Sequence, residues 1–244
     1  MKRIKVIVPI PMDEVGVANR AEQLPPPLVR DGFEPVFEAV SWGAALGDSY
    51  HDMLLMDWTV FQAGIKAEDE GYDGVLIDTV SDSGLRALRS RLSIPVAGPG
   101  ESAFYAACMM GKTFSILTMW DEWFPLYEKT ITEYGLEKRL ASMRSIQTRP
   151  DVTELLAGKE EVIFGKLEEA ATRCIEEDRA DVIVLGSTTM HQSAAHLDAK
   201  LPIPVINPGV VAYKMLETFI ELGLTHSKKA FPTPEVPKDA EITA

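Results

Sequence analysis

The chain has 244 residues, with 37 acidic side chains against 24 Lys and Arg, a formal net charge of −13. The basic residues form no dense stripe, which argues against nucleic acid and anionic membrane as partners. At 46% hydrophobic and 25% charged, the composition is that of a soluble globular protein, and no apolar run approaches the roughly 20 residues of a membrane helix.

The opening MKRIKVIVPIP is basic and then apolar. Its apolar part is short and no small-residue cleavage site follows, so Lys5–Ile10 reads as a first buried strand rather than a signal peptide. Pro25, Pro26 and Pro27 mark a loop, since three prolines enter neither a helix interior nor a central strand. A helical pattern spans Trp58 to Glu70. Asp73–Thr79, DGVLIDT, is an acidic start, a buried-strand run and a small polar end. IPVAGPGESA follows at Ile94–Ala103, and FSILTM, strand-like again, at Phe114–Met119. Glu160 to Asp178 is helical. Asp181–Ser187 reads DVIVLGS and Ile203–Ala212 reads IPVINPGVVA. The final FPTPEVPKDAEITA is Pro-rich and charged, a surface arm or a frayed tail. Cys108 and Cys174 each sit in an apolar helical pattern and read as small buried hydrophobes. No disulfide framework is suggested, so a reducing cytoplasm is expected.

Three of these segments occur twice in the same order. Lys5 and Phe114, Asp73 and Asp181, and Ile94 and Ile203 begin paired segments that lie 108 or 109 residues apart. Strands alternating with helices predict parallel βαβ units with buried strands. The expected fold is α/β: two pseudo-symmetric, Rossmann-like domains from an internal duplication, each with a four-stranded parallel sheet, and a cleft between them. Residues 1–96 plus 209–230 are expected to form the first domain, 97–208 the second, and 231–244 a C-terminal tail.

In open parallel sheets, ligands bind beyond the carboxyl ends of the strands. That places the chemistry at Asp78-Thr79-Val80-Ser81 and Gly186-Ser187-Thr188-Thr189. The backbone N–H groups of Val80, Ser81, Thr188 and Thr189 are expected to face an anion there. The competing reading of the hydroxyls is simpler, because Ser and Thr are good helix N-caps. Two equivalent strand ends holding a small ligand from both faces suit proton exchange at a carbon, or decarboxylation with one-sided protonation. In either case, enolate-like oxygens would be held by backbone amides.

The chain resembles the aspartate/glutamate/hydantoin racemase superfamily, and within it the hydantoin racemase-like branch. The resemblance covers about residues 4 to 230. It rests on VLIDTVSDSGL (Val75–Leu85), GPGESA (Gly98–Ala103), GKTFSILT (Gly111–Thr118) and YGLEKRLASMRSI (Tyr134–Ile146), then on VLGSTTM (Val184–Met190), IPVINP (Ile203–Pro208) and GLTHSK (Gly223–Lys228). It implies two pseudo-symmetric α/β domains with the active site between them. It also implies no metal, no pyridoxal phosphate and no nucleotide, hence no cofactor. Active members use two cysteines, one per half, as acid and base. At those places this chain has Thr79 and Ser187. An alcohol lies far above a thiol in pKa and is a poor base without help, so two-thiol racemisation is not expected. Where the resemblance implies a substrate-contacting Asn-Pro-Asn, this chain has Val8-Pro9-Ile10-Pro11. Pro11 is therefore expected in an apolar wall against a less polar part of the substrate.

Asp78, beside Thr79, and His191, four residues after Ser187, are the candidates to replace the thiols. Each has a plainer reading: Asp78 as a carboxylate bonded to local backbone, His191 as a solvated helix residue. Asp82 and Glu101 fit structural places in the resemblance. Trp120 and Tyr127 belong to an aromatic cluster that forms either a pocket wall or a core-facing helix. His51, in Tyr50-His51-Asp52, is a weaker site candidate. The expected function is a cofactor-independent isomerase or lyase acting on a small carboxylate, amide or cyclic ureide. The alternatives are a hydrolase of a small amide, using Ser187 with His191 or Asp78-activated water, and a catalytically silent binder of small anions. A homo-oligomer is expected.

Overall fold

The computed structural model describes residues 1–150 and 163–242. It divides into two compact units, Met1–Asp78 with Asp82–Gly98 and Ala212–Ala244, and Thr79–Ser81 with Pro99–Val211.

The first unit is built on a parallel sheet of order β2-β1-β3-β4. Its elements are β1 (Lys2–Val8), α1 (Glu14–Ala21), β2 (Phe33–Ala39), α2 (Tyr50–Gly64), β3 (Gly74–Ile77), α3 (Leu85–Arg91) and β4 (Val96–Ala97). Central parallel strands are covered on both faces and therefore read as unbroken apolar runs. β3, GVLI, is buried at every position, and so is β1 from Ile4 onward. Helix α1 starts where the Asp13 carboxylate accepts from Gly16 N–H, and α2 where the Ser49 hydroxyl accepts from Asp52 N–H. α2 thus begins eight residues before the pattern that started at Trp58.

The second unit repeats the plan with the order β6-β5-β7-β8, again parallel throughout. After α4 (Pro99–Met110) come β5 (Phe114–Thr118), α5 (Phe124–Tyr134), β6 (Leu140–Ser145), α6 (Phe164–Glu176), β7 (Val182–Leu185), α7 (His191–Asp198) and β8 (Val205–Ile206), followed by α8 (Pro208–Glu221), which belongs to the first unit from Ala212 onward. Of the helix expected over Glu160–Asp178, Glu160 to Val162 lie outside the described residues. The duplication reaches the hydrogen-bond register. Ile4 pairs with Gly74 and Ile7 with Ile77 in one sheet, and Phe114 with Val182 and Leu117 with Leu185 in the other.

β2 and β6 supply the fourth strand of each sheet. Both are sheet edges, half-buried along most of their length, and β2 carries Pro35, which an edge strand tolerates. Cys108 lies on α4 and Cys174 on α6; both are free thiols, the second buried.

Late in α8, Leu216 and Ile220 pack on the start of β3, with the Ile220 methyl so close to Gly74 that a Cβ there would stand 2.9 Å away. The chain beyond grips α3. Val96 N–H donates to His226 Nε2 (2.8 Å), and Lys228 Nζ donates to the carbonyls of Arg89, Ser90 and Leu92 (2.8, 3.1 and 2.6 Å). The last stretch is tied by Arg91 to Asp239 and by Gln62 Nε2 to the Ile242 carbonyl (2.7 Å), the latter in a short helix, α9 (Asp239–Ile242). Among the described residues no helix is long and apolar enough to cross a membrane.

The ammonium of Lys228 satisfies carbonyls that a helix end leaves open. Replacing Lys228 with Met is expected to cost about 1 kcal/mol, given its exposure. Urea unfolding would show a lower midpoint at unchanged slope.

Candidate functional site

The two strand ends picked out by the sequence have the same backbone and different side-chain supports. In the first unit, Asp78 N–H donates to Ile7 O (2.8 Å), one residue beyond β3. Asp78 is 3% exposed. Its Oδ2 accepts from Arg20 Nε (2.8 Å) and Arg20 Nη2 (2.5 Å), and its Oδ1 from Gln23 Nε2 (3.2 Å). Gln23 Nε2 also donates to the Arg20 carbonyl (2.9 Å). Arg20 and Gln23 are as buried as Asp78, at 6% and 4% exposure. Asp78 is therefore an ion-paired, hydrogen-bonded carboxylate. Two of its partners are side chains from the end of α1 and just beyond it.

Thr79 begins a hydroxyl turn. Its Oγ1 lies 3.0 Å from Ser81 Oγ, and Ser81 N–H points at the same oxygen at 3.5 Å. Val80, Ser81 and Asp82 are buried. Asp82 has φ +51°, a left-handed conformation that Asp tolerates better than most residues. Its carboxylate lies so close to Gly98 that a Cβ there would sit 2.3 Å from Oδ1. This explains glycine in IPVAGPG where the second copy has Asn207.

In the second unit, Gly186 N–H donates to Leu117 O, again at 2.8 Å and again one residue past the strand. Here the support is neutral. Tyr127 Oη donates to Gly186 O (2.7 Å) and lies 2.8 Å from Thr118 Oγ1, with Tyr127 1% exposed. A Cβ at 186 would stand 2.6 Å from Tyr127 Oη, so only glycine fits beneath it. Ser187 then begins a second hydroxyl turn. Its Oγ lies 2.7 Å from Thr189 Oγ1 and accepts from Thr189 N–H at 3.2 Å. The 3₁₀ turn Thr188–Met190 leads directly into α7, whose first residue is the half-buried His191.

Ser187 is thus an N-cap as well as a candidate reacting group. The N–H groups of Ser81 and Thr189, expected as anion donors, are directed at the hydroxyl oxygens of their own turns. Tyr127, expected either in a pocket wall or on a core-facing helix, is buried, and its hydroxyl is committed to Gly186 and Thr118. Trp120 is half-buried against the core of the second unit, with the Arg149 guanidinium 5.8 Å from its ring centre. Pro11 is exposed just after β1, and His51 is exposed at the start of α2 beside Asp52. Neither thiol lies at a strand end, and burial pushes both Cys108 and Cys174 up from the ordinary thiol range. Among the described residues no group of three or more His, Cys, Asp and Glu side chains is arranged to hold a metal ion.

Arg20 and Gln23 are the residues that sequence reasoning missed. Their stretch, NRAEQLPPP, carries no motif. The available signal was indirect: an Asp closing a fully buried strand calls for a buried cation.

The sequence profile of the Asp/Glu/hydantoin racemase family matches residues 19–216. The chain is 31% identical over 234 residues to a hydantoin racemase of Pseudomonas sp. (strain NS671), covering 96% of this chain and 92% of that one. Its structure is similar to that of allantoin racemase from Klebsiella pneumoniae, with a TM-score of 0.87 and 27% identity over 97% of this chain and 95% of the other. The allantoin racemase of Pseudomonas fluorescens gives the same TM-score of 0.87 at 26% identity, with 97% and 98% covered.

Because Tyr127 Oη serves two buried partners, Tyr127→Phe is expected to destabilise the protein by about 1–3 kcal/mol. Gly186→Ala, which forces Tyr127 aside, should cost a similar amount. Denaturant titration of both single variants checks these values.

Proposed function

The chain belongs to the Asp/Glu/hydantoin racemase family, and from that premise we propose that it is an isomerase. It moves a proton, without a cofactor, at a carbon next to a carbonyl in a small cyclic ureide of the hydantoin type. The observation that carries this reading is the pair of hydroxyl turns, Thr79 with Ser81 and Ser187 with Thr189, at equivalent ends of the duplicated sheets. They stand where the family resemblance implies one cysteine per half. The likeness to hydantoin and allantoin racemases supports the substrate class, since both ring systems carry a C–H next to a ring carbonyl.

The chemistry follows from what these residues can do. Removing the C–H proton puts negative charge on the neighbouring carbonyl oxygen, and a proton taken from water on the other face inverts the centre, while the base returns its own proton to solvent. O–H and N–H donors held in advance lower the barrier to the charged intermediate. Thr79 and Ser187 take that donor role, with the backbone N–H groups of Val80 and Thr188. An unassisted alcohol is a poor base. The base is therefore assigned to His191, one helical turn after Ser187, because imidazole changes charge nearest to neutral pH. Asp78, engaged by Arg20 and Gln23, is assigned to holding the first turn rather than to proton transfer.

The test is solvent-deuterium incorporation at the ring C–H of allantoin and of 5-substituted hydantoins, followed by proton NMR. Thr79→Ala, Ser187→Ala and His191→Gln are each expected to slow incorporation by about 10² or more. Full activity in all three would remove these residues from the reaction. The double change Thr79→Cys with Ser187→Cys is expected to racemise a 5-substituted hydantoin faster than the natural protein, measured by optical rotation, because thiols form thiolates far more readily than alcohols form alkoxides.

A further inference from the structure

The two halves support their hydroxyl turns by different means, each from the helix that follows the first strand. In each half the helix after the first strand sends one polar side chain to the residue just past the third strand. In the second half Tyr127 of α5 donates to the carbonyl of Gly186 (2.7 Å). In the first half Arg20 of α1 holds the carboxylate of Asp78, joined by Gln23. The supported residues, Asp78 and Gly186, are equivalent and lie 108 residues apart, while Arg20 reaches its target from the last turn of α1 and Tyr127 from the first turn of α5. One works by charge and the other by neutral hydrogen bonds.

We propose that Arg20, with Gln23, is a positioning residue for Thr79: the buried cluster around Asp78 fixes the backbone from which the Thr79–Ser81 turn departs. The proposal rests on the reading of Thr79 as part of the reacting site. Residue 78 is held twice, by its N–H on Ile7 O and by its carboxylate on Arg20 and Gln23. With residue 78 fixed on both counts, the Thr79 hydroxyl has little freedom left, and its bond to Ser81 (3.0 Å) removes part of the rest. A buried ion pair is weak evidence for stability, because an apolar replacement is often as stable. Its place, beside the hydroxyl that must be aimed, points to geometry instead. A misplacement of about 1 Å at a reacting group costs about 10² in rate.

The experiment compares Arg20→Lys, which keeps the charge but loses the paired N–H donors, with Asp78→Asn, which keeps the shape but loses the charge. A third variant, Arg20→Tyr with Asp78→Gly, rebuilds the second half's neutral support in the first. In the deuterium-incorporation assay on allantoin, Arg20→Lys and Asp78→Asn are expected to lower kcat by about 10² while KM stays within about threefold. The rebuilt support should recover at least about tenfold of that loss. In parallel, amide NMR should show changed shifts and at least about tenfold faster hydrogen exchange at Thr79 to Ser81, and no change at Ser187 to Thr189. Folded Arg20→Lys and Asp78→Asn proteins with natural kcat and unchanged amides at 79–81 overturn the proposal. If the natural protein does not label allantoin, or if a variant is too unstable to assay, the amides of the best-folded variant decide it alone. Thr79→Ala separates this inference from the reading beneath it. Full labelling there removes Thr79 from the reaction and this proposal with it. Lost labelling there, with natural kcat in the Arg20 and Asp78 variants, overturns the positioning role only.

Discussion

In each half one backbone bond decides where the candidate site begins. Asp78 N–H donates to Ile7 O and Gly186 N–H to Leu117 O, both at 2.8 Å and both one residue beyond the end of the third strand. The bond ties the residue just past the strand back to its neighbour in the sheet, and the chain bends there into the hydroxyl turn. Everything described at these positions depends on that anchor: it fixes where the supports attach and where the turns begin. The ladder can extend this far only because the strands before it are buried on both faces and locked in register.

The supports then meet a common requirement with different chemistry. A carboxylate with 3% exposure must be compensated, and Arg20 with Gln23 does so in full view of the rule that buried charges are paired. In the other half no charge is buried at this place. Tyr127 instead occupies the space a side chain at 186 would need, and its hydroxyl satisfies a carbonyl and Thr118. The hydroxyl turns themselves are nearly the same, at 3.0 Å and 2.7 Å between their oxygens. Their N–H groups at 81 and 189 look inward to those oxygens. A ligand that took up a hydroxyl proton would therefore leave the turn's own N–H bond in place.

Much of this was legible in the sequence, because its signals were local. Buried strands announce themselves as apolar runs, and the paired segments 108 or 109 residues apart gave the α/β plan, the strands GVLI, VIVL and FSILT, both strand-end hydroxyls, and a first strand read as Lys5–Ile10 that runs from Lys2 to Val8. The segments that stayed hidden have physical reasons to be so. β2 and β6 are half-exposed edges whose residues alternate too weakly to stand out, FEPVFEA and LASMRS. The start of α2 was set by the cap at Ser49, which precedes any apolar period. The partners of Asp78 come from 55 and 58 residues away in the chain, and no local pattern encodes such a distance. For the same reason the sequence left Tyr127 open between a pocket wall and a core-facing helix: its role is fixed by a carbonyl 59 residues further along.

The unlike supports also bear on how two copies of one segment drift apart. At position 186 any side chain collides with Tyr127, so an aspartate there has to wait until the tyrosine is gone. At position 78 the loss of the carboxylate strands a buried guanidinium, so the arginine must change in the same step or first become tolerable. A single change toward the other half's solution therefore meets a collision in one half and an uncompensated charge in the other, so the charged and the neutral arrangement are each self-consistent and each resists drifting into the other.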